Sequence, residues 1–299
     1  MKNIKSFTSR SGVNIPSVGF GTFLIEPQDT AAAVANAINA GYRHIDTAEV
    51  YGNEQGVGDG IKQSGVKREE LFITTKLWQG GYGGEAAKTP AQVKASFNES
   101  LAKLGLDYLD LYLVHSPYAG KERLNQWQAL LELKAAGKVR ALGVSNFNIK
   151  HLEEIKAAGL ELPEFNQLEL HPWSQKFELV DYLKAHGIQP IAYSSLAPLS
   201  TWRTGQTSAK NTEAIEMESA VNFSELAAKY GVTEAQLLLR WGVQSGYAVL
   251  PKSLNAERMA QNLAISDLFA ISQADMDLLK TQNRGGGIAW ETGDPLVVE

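Results

Sequence analysis

The sequence predicts an α/β fold, a (β/α)8 TIM barrel that follows a short N-terminal β-hairpin. The length of 299 residues suits such barrels, which have roughly 250 residues plus insertions. Short apolar runs alternate with amphipathic helical patterns along the chain, about eight of each. The apolar runs lack a strict polar–apolar alternation, as is typical of parallel strands covered on both faces. A large doubly wound sheet would show the same alternation and stays an alternative at this point.

The elements follow in chain order. The hairpin is predicted from residues 4–7 and 13–15, with Gly12 between them. The predicted barrel strands are 17–20, 42–46, 71–76, 108–114, 141–144, 165–170, 189–193 and 248–251. The predicted helices are 30–40, 92–104, 124–136, 178–185 and 225–230, each followed closely by a glycine.

Neither a repeat nor a linker interrupts this pattern, so we expect a single domain over residues 1–299. Two long loops, 79–90 and 197–221, follow strands, and in a barrel such loops lie at the catalytic rim. Residues 79–84 include four glycines and are expected to move. The C-terminal tail 283–299 is expected to be loose and to fold over the pocket.

The composition argues against several classes of function. Lys and Arg total 28 against 33 for Asp and Glu, so the chain lacks the general basic character that nucleic-acid binding requires. Without cysteines there can be no disulfide or thiolate metal site. The five histidines lack metal-binding spacings, which argues against a metal-dependent hydrolase. No apolar run suits a signal peptide or a membrane span, so we expect a soluble, cytoplasmic protein with a small-molecule substrate. We expect a monomer because no long exposed apolar helix indicates an interface.

Glycine motifs for nucleotide binding are incomplete. Gly19 and Gly21 begin like the Rossmann fingerprint, but its third glycine is absent. Gly56, Gly58 and Gly60 also miss the required spacing and lie within a helical pattern. Without the full spacing, the main chain cannot bring a pyrophosphate onto a helix N-terminus in the usual way. A dinucleotide would therefore have to be held by other means.

Four polar residues lie at or just after the ends of predicted strands: Asp46, Tyr51, Lys76 and His115. Taken singly, each of these residue types is more often a surface group than a catalytic one. In a barrel, however, these strand ends meet on one face, and a buried Asp and a buried Lys need each other. The set therefore predicts an active site.

Several motifs in order resemble the aldo-keto reductase family: GYRHIDTAEVYGNE, TTKLW, VHSP, GVSNF, NQLELHP, YSSLAP, and PKS followed by ERMAQN. The resemblance runs from Ser6 to Asn262. It implies a (β/α)8 barrel with NADPH or NADP+ as the cofactor, bound extended across the barrel mouth. It also places the four strand-end residues at the family's catalytic positions.

Carbonyl reduction needs a proton for the developing alkoxide, and Tyr51 is the predicted donor. A tyrosine with a pKa near ~10 is protonated at neutral pH, and the Lys76 ammonium is expected to lower that pKa. Asp46 would keep Lys76 charged and oriented, while His115 would donate a hydrogen bond to the substrate oxygen. The alternatives are a Schiff base on Lys76 and a core role for His115.

The other four histidines are interpreted as structural. His44 lies near Asp46 but is taken to be out of phase with it along the strand. The same interpretation is given to His151, His171 and His186.

The resemblance also implies the cofactor contacts. Lys252, Ser253 and Arg258 would hold the 2′-phosphate after the last strand, and two cations there favour NADP(H) over NAD(H). The other residues implied are Tyr193 stacked on the nicotinamide, Ser145, Asn146 and Gln167 at its carboxamide, Gly21, Thr22 and Asp46 beside the cofactor, Ser194 and Leu196 on the pyrophosphate path, and Gln261 and Asn262 at the adenine. Without the surrounding motifs, Lys252 and Arg258 would be ordinary surface charges and Tyr193 a core residue.

A carbonyl pocket is expected to be mostly apolar with few polar groups. The residues predicted to contact substrate are Phe23, Tyr51, Trp78, His115 and Ser116, with Trp202 and Trp290 as further aromatic candidates in the second rim loop and the tail. Ser116 follows the catalytic histidine where many relatives have a large aromatic residue. We therefore expect this wall to be smaller and more polar than in those relatives.

The sequence thus predicts an NADPH-dependent reductase of aldehydes and ketones, with small aldehydes, ketoaldehydes or sugar-derived carbonyls as substrates. Two other functions stay open. Some barrels of this family are cofactor-sensing regulatory subunits, and a Schiff-base lyase could use Lys76.

Overall fold

A computed structural model describes residues 5–199, 220–290 and 293–299. A two-stranded antiparallel hairpin comes first, formed by β1 (Ser6–Thr8) and β2 (Asn14–Pro16). Eight parallel strands follow: β3 (Phe20–Gly21), β4 (His44–Asp46), β5 (Phe72–Leu77), β6 (Leu109–Val114), β7 (Val139–Ser145), β8 (Phe165–Glu169), β9 (Gln189–Tyr193) and β10 (Ala248–Val249). The predicted strands are confirmed, with bounds that shift by a few residues.

The eight strands are hydrogen-bonded to one another in chain order from β3 to β10. A doubly wound sheet would instead reverse its strand order at a switch point. The first and last strands are joined as well, since Val18 pairs with Val249 in a parallel bridge. The amide of Gly19 donates to Val249 O at 2.8 Å, and the amide of Val249 donates to Ser17 O at 2.9 Å. These bonds close the sheet into the predicted barrel.

Helices cover the outside of the strands. Those described are Pro27–Ala40, Glu54–Ser64, Pro90–Leu104, Arg123–Ala135, Ile149–Ala157, Phe177–Ala185, Phe223–Lys229, Glu234–Gln244, Ala256–Leu263, Ile265–Leu268 and Gln273–Lys280. Local signals explain several starts. Proline opens the helices at Pro27 and Pro90, where its missing amide costs nothing, and Thr89 forms a capping box with Gln92. The five predicted helices are confirmed to within a few residues.

The glycines of the helix Glu54–Ser64 serve close packing between helices. A Cβ on Gly60 would lie 2.6 Å from Ala31 O, and one on Gly58 would lie 2.4 Å from Leu104 O. Only glycine lets the neighbouring helices come this near. The prediction that these glycines are no phosphate loop therefore agrees with their surroundings.

The apolar core has two parts. The barrel interior is filled by side chains such as Ile15, Phe72, Leu113, Phe165 and Ile191, and a larger cluster lies between strands and helices. The hairpin supplies Ile15, which belongs to the interior cluster. Because this apolar plug fills the barrel, the polar residues at the carboxyl ends of the strands line an open mouth above it.

Part of the predicted rim loop 197–221 lies outside the described residues, and Trp202 lies there too; Ala197–Leu199 forms one 3₁₀ turn. No described helix has the length and apolar character needed to cross a membrane. Within the described ranges, no group of three or more His, Asp or Glu side chains is arranged to hold a metal ion.

Candidate active site

The four predicted catalytic residues meet at the barrel mouth. Asp46 ends β4, Lys76 is the penultimate residue of β5, and His115 directly follows β6. Tyr51 ends a 3₁₀ turn, Glu49–Tyr51, that follows β4. The Tyr51 and His115 rings are 5.7 Å apart between centroids and nearly perpendicular. The structure therefore brings together what the strand-end pattern predicted.

Lys76 is fully buried and held by three oxygen atoms. Its ammonium donates to the Asp46 carboxylate, to Thr47 O at 2.8 Å and to the Tyr51 hydroxyl at 3.4 Å. The second Asp46 oxygen accepts from Gln167 Nε2 at 2.8 Å. Since each buried charge has partners, the site can keep an ion pair away from water.

Burial is the largest influence on the pKa of each member of this group. Burial alone would lower the pKa of Lys76, but Asp46 and Tyr51 outweigh it and the pKa is raised. Burial raises the pKa of Asp46, with Lys76 and Gln167 acting against it. Burial also raises the pKa of Tyr51, although the Lys76 ammonium lowers it. The expected downward effect of Lys76 on Tyr51 is present, but the expected net lowering is wrong because desolvation is stronger.

His115 is a neutral imidazole in this environment. Burial, followed by repulsion from Lys76, holds the pKa of its ring well below the usual value. Its Nδ1 has no hydrogen-bond partner among the described residues. A neutral ring with its proton on Nε2 can donate that proton to an oxygen in the cavity.

His44 lies in phase with Asp46, which corrects the sequence-based interpretation. The two residues are two apart on β4 and so share the inward face. His44 is fully buried beneath the site, where its Nε2 is 3.0 Å from the Thr74 hydroxyl. Burial lowers the pKa of His44 to about 3. The position of His44 therefore differs from the prediction, and its structural role stays a prediction.

A continuous hydrogen-bond network extends the site toward the C-terminal tail. Trp290 Nε1 donates to the Tyr193 hydroxyl at 2.9 Å, and that hydroxyl donates to Asn146 Oδ1 at 2.7 Å. Asn146 Nδ2 donates to Ser145 Oγ at 3.0 Å and to His115 O at 3.1 Å. Ser145, whose hydroxyl donates to Gln167 O at 2.9 Å, and Asn146 thus lie beside Gln167 and His115.

Three non-glycine residues that line the cavity have positive φ angles. They are Leu24 at 58°, Asn146 at 62° and Ser194 at 52°. Such angles cost free energy in L-residues and persist where surrounding contacts enforce them, often at functional sites. Nothing in the residue types of Leu24 or Ser194 signals this in the sequence.

The cavity has a volume of about 980 Å³. It extends from Asp46, Tyr51 and His115 to Lys252, which follows the last strand. Fourteen of the predicted site residues line it: Gly21, Thr22, Phe23, Asp46, Tyr51, Trp78, His115, Ser145, Asn146, Gln167, Tyr193, Ser194, Leu196 and Lys252. The aromatic candidate Trp290 lines it as well. The cavity is therefore long enough to include both a reaction centre and a path to the basic residues Lys252 and Arg258 beyond the last strand, which form its basic end.

The basic end lies beyond the last strand. Arg258, Gln261 and Asn262 lie on the helix Ala256–Leu263, and Ser253 lies in the loop before it. The Asn255 side chain caps that helix by accepting from the amide of Arg258 at 2.9 Å. Lys252 and Arg258 are exposed, and no described acidic side chain forms an ion pair with either. Two uncompensated cations beside a helix start suit a phosphate group.

Aromatic rings surround the space above His115. Trp78 and Trp290 lie 5.6 Å and 6.2 Å from the His115 ring. Tyr82 contacts Trp78 at 5.9 Å and Tyr118 at 4.9 Å, and Tyr118 in turn contacts Trp290 at 6.1 Å. Sequence reasoning missed both tyrosines, because Tyr82 lies on the glycine-rich loop and Tyr118 in the 3₁₀ segment Pro117–Glu122, and neither directly follows a strand.

Ser116 does not line this wall, which corrects the expectation of a smaller and more polar surface. It is fully buried, and its hydroxyl accepts from Gln79 Nε2 at 2.7 Å. Tyr82, from the loop that begins at Gln79, lines the cavity. The wall is therefore aromatic, built from the rim loop instead of position 116.

The tail folds over the pocket as predicted. Ile288, Ala289 and Trp290 line the cavity, and Arg284 N donates to Trp173 O at 2.8 Å. Farther along, Asn148 Nδ2 donates to Leu296 O at 2.7 Å. The looseness expected of the tail and of residues 79–84 stays a prediction.

Several known proteins are similar to this chain in sequence and fold. The family model for the aldo/keto reductase family matches residues 17–284. Glyoxal reductase of Bacillus subtilis is 43% identical over 276 residues, 92% of this chain and 91% of that protein. Morphine 6-dehydrogenase of Pseudomonas putida is 38% identical over 92% of this chain and 90% of its own length. A crystal structure of Bombyx mori aldo-keto reductase in complex with NADP has a TM-score of 0.83 at 33% identity, covering 96% of this chain and 95% of that one.

Proposed function

Since this chain belongs to the aldo/keto reductase family, we propose that it reduces aldehydes and ketones to alcohols with NADPH and that Tyr51 supplies the proton. Membership makes it an NAD(P)-dependent oxidoreductase that acts on carbonyl groups. One observation carries the assignment of the proton donor. The Tyr51 hydroxyl lies 3.4 Å from the buried Lys76 ammonium, in a cavity that it shares with His115.

The chain's own residues can perform the acid–base half of the reaction. His115, which is neutral, donates a hydrogen bond from Nε2 and orients the substrate oxygen. Tyr51 then gives its proton to that oxygen as negative charge develops there. The phenolate left behind is stabilised by Lys76, whose charge is maintained by Asp46. General acid catalysis of this kind contributes about 10²–10⁴-fold.

The cofactor supplies the hydride that the protein lacks, and the described residues fit it. Asn146 and Gln167 present amide groups beside the tetrad, where they suit the nicotinamide carboxamide. Tyr193 lines the cavity with its ring and holds its hydroxyl on Asn146. Lys252 and Arg258 supply the positive charge that a 2′-phosphate requires. The complex of the Bombyx mori relative with NADP supports the same choice.

For the substrate, we infer a preference for small aldehydes and ketoaldehydes over sugar-derived carbonyls. The indole N–H groups of the two tryptophans beside His115 are already used, Trp78 Nε1 on Glu85 at 2.9 Å and Trp290 Nε1 on the Tyr193 hydroxyl. The walls therefore present aromatic faces, and they do not offer these donors to sugar hydroxyls. The similarity to a glyoxal reductase agrees with this inference.

A Schiff base on Lys76 is not favoured. That chemistry needs a neutral amine, whereas the pKa of Lys76 is raised by Asp46 and Tyr51 against the effect of burial. We also infer a monomer, because one chain supplies every group used in this mechanism, and light scattering can test it. A cytoplasmic location stays a prediction of the sequence.

The test measures consumption of NADPH and of NADH with aldehydes, ketoaldehydes, ketones and aldoses. Wild type is compared with Tyr51→Phe and with the control Tyr108→Phe. The control removes a hydroxyl outside the cavity and keeps the aromatic ring of residue 108, over which the Arg68 guanidinium lies at 4.0 Å. We expect NADPH to exceed NADH, Tyr51→Phe to lose at least about 10²-fold in kcat/KM, and Tyr108→Phe to match wild type.

Full activity in Tyr51→Phe would refute the proton-donor role. Tight NADPH binding with no turnover of any carbonyl would instead favour a cofactor-sensing subunit. Trapping of a carbonyl compound on Lys76 by borohydride would favour a lyase.

A further inference from the structure

Glu169 is a buried carboxylate at the barrel mouth that the proposed reaction does not use. It ends β8 two residues after Gln167, so both side chains point to the same face of the strand. The residue is only 2% exposed. An isolated carboxylate would be costly there, so its partners show what it is built to bind.

Those partners belong to the C-terminal tail and to one histidine. One oxygen accepts from Ile288 N at 2.8 Å and lies 2.9 Å from His171 Nε2. The other accepts from Ala289 N at 3.0 Å. Two successive backbone amides of the tail thus converge on one carboxylate. Burial would raise the pKa of Glu169, but the bonds from His171 and Ile288, with the charge of Lys176, hold it below the usual value.

The tail approaches Glu169 closely at a position where only glycine fits. A Cβ on Gly287 would lie 2.5 Å from Glu169 Oε2 and 3.1 Å from Asp294 Oδ2. No real side chain tolerates the first of these distances, so Gly287 and Glu169 are matched to each other.

The amides that Glu169 holds immediately precede Trp290. That residue forms a wall 6.2 Å from the His115 ring and donates to the Tyr193 hydroxyl. The carboxylate at the end of β8 is therefore connected, through two peptide units, to an aromatic ring over the reacting centre.

We propose that Glu169 is a positioning residue: its carboxylate binds the main chain at Ile288 and Ala289 and thereby sets Trp290 as a wall of the substrate site. The proposal rests on the proposed function, because it assigns this wall to the carbonyl pocket. It differs from a catalytic role, since Glu169 acts on the tail and does not touch the reacting atoms.

The experiment compares Glu169→Gln with wild type and with Glu178→Gln, which changes an exposed carboxylate in the first turn of the helix Phe177–Ala185. Glutamine keeps the size of the side chain but replaces one acceptor oxygen by an amide NH₂ group. This group is a donor and cannot accept a hydrogen bond from the tail N–H groups. We expect KM for the carbonyl substrate to rise about tenfold with kcat within about twofold, the pattern of lost ground-state binding. The Kd for NADPH should change less than KM.

A second readout needs neither substrate nor cofactor. Trypsin can cut after Arg284, and the segment 285–299 contains no Lys or Arg, so mass spectrometry would detect its release as one fragment. We expect this cleavage to be about ten times faster in Glu169→Gln than in wild type, since local opening controls proteolysis. Glu178→Gln should match wild type in both readouts.

Gly287→Ala repeats the test from the tail side and serves if Glu169→Gln does not fold. It should likewise raise KM and the rate of cleavage after Arg284. Unchanged cleavage and KM in the folded variants would overturn the proposal, as would a lower Tm alone, which a purely structural role would produce. If wild type reduces no carbonyl, the proposed function fails, whereas the cleavage rates still show whether Glu169 holds the tail.

Discussion

Removing the charge of Lys76 while Asp46 stays should destabilise the protein strongly. In Lys76→Met, the buried Asp46 carboxylate keeps Gln167 but loses the ammonium. Breaking a buried ion pair from one side typically costs about 3–5 kcal/mol in free energy of unfolding. Adding Asp46→Asn removes the second charge and keeps a side chain that can bond Gln167. The double variant should return to within about 1 kcal/mol of wild type.

The pKa of Asp46 determines how the free energy of unfolding of Lys76→Met changes with pH. In Lys76→Met, burial raises the pKa of Asp46 and the opposing ammonium is gone. Its folded-state pKa then exceeds the unfolded value of 3.8, so the folded protein binds the extra proton. Stability must therefore fall as the pH rises above 3.8, by about 1.4 kcal/mol per pH unit until Asp46 is ionised. The double variant, which lacks this carboxylate, should not show the trend.

Urea unfolding at several pH values measures both effects, and NADPH oxidation measures activity in parallel. Both variants should lose about 10²–10⁴-fold in kcat/KM, so the double variant regains stability but not catalysis. The reasoning is refuted if Lys76→Met unfolds within about 1 kcal/mol of wild type at pH 7. It also fails if the double variant is no more stable than the single one.

Three further predictions address pH, cofactor choice and stability. The pKa of His115 lies well below 6.5 and that of Tyr51 above 10.0. We therefore expect kcat/KM for reduction to show no step near pH 6.5 and to fall only above pH 10. A step near pH 6.5 in a stopped-flow pH profile would contradict this. Arg258→Ala should raise KM for NADPH about 10–100-fold and leave KM for NADH nearly unchanged; equal effects on both would argue against a 2′-phosphate contact. Asp275 accepts bonds from Lys229 and Ser272 at 2.7 Å and 2.8 Å, which together with Tyr230 lower its pKa to about 2. Asp275→Asn should therefore cost about 1–3 kcal/mol at pH 7, a difference that fades as the pH falls from 3.8 toward 2 in thermal unfolding.

Most of the proposed catalytic centre could be predicted from the sequence because three of its residues lie at or next to the ends of apolar strands. The position of a strand-end residue depends on strand order alone, and a barrel brings successive strand ends together. Asp46, Lys76 and His115 are placed in this way. The loop residue Tyr51 needed the resemblance of the surrounding motif, since a loop position is not set by the strands.

The aromatic wall and the tail anchor could not be predicted, because each depends on contacts between distant segments. Ser116 seemed to border the pocket by its place after His115, but Gln79 from another loop draws its hydroxyl inward. Glu169 lies within the predicted strand 165–170, and its residue type alone does not single it out. Its role as an anchor depends on the backbone of Ile288, which is 119 positions away along the chain.

Electrostatics at the barrel mouth support Tyr51 as the proposed proton donor without reference to relatives. Burial raises the pKa of Tyr51 and lowers that of His115, so at neutral pH the phenol carries a proton and the imidazole is uncharged. His115 therefore cannot act as a charged acid there, and its neutral N–H is suited to orienting the substrate oxygen. Lys76 acts to lower the pKa of both rings, adding to the effect of burial on His115 and opposing it on Tyr51. One buried cation thus opposes protonation of the histidine and favours proton release from the tyrosine, which divides the two roles between neighbouring rings.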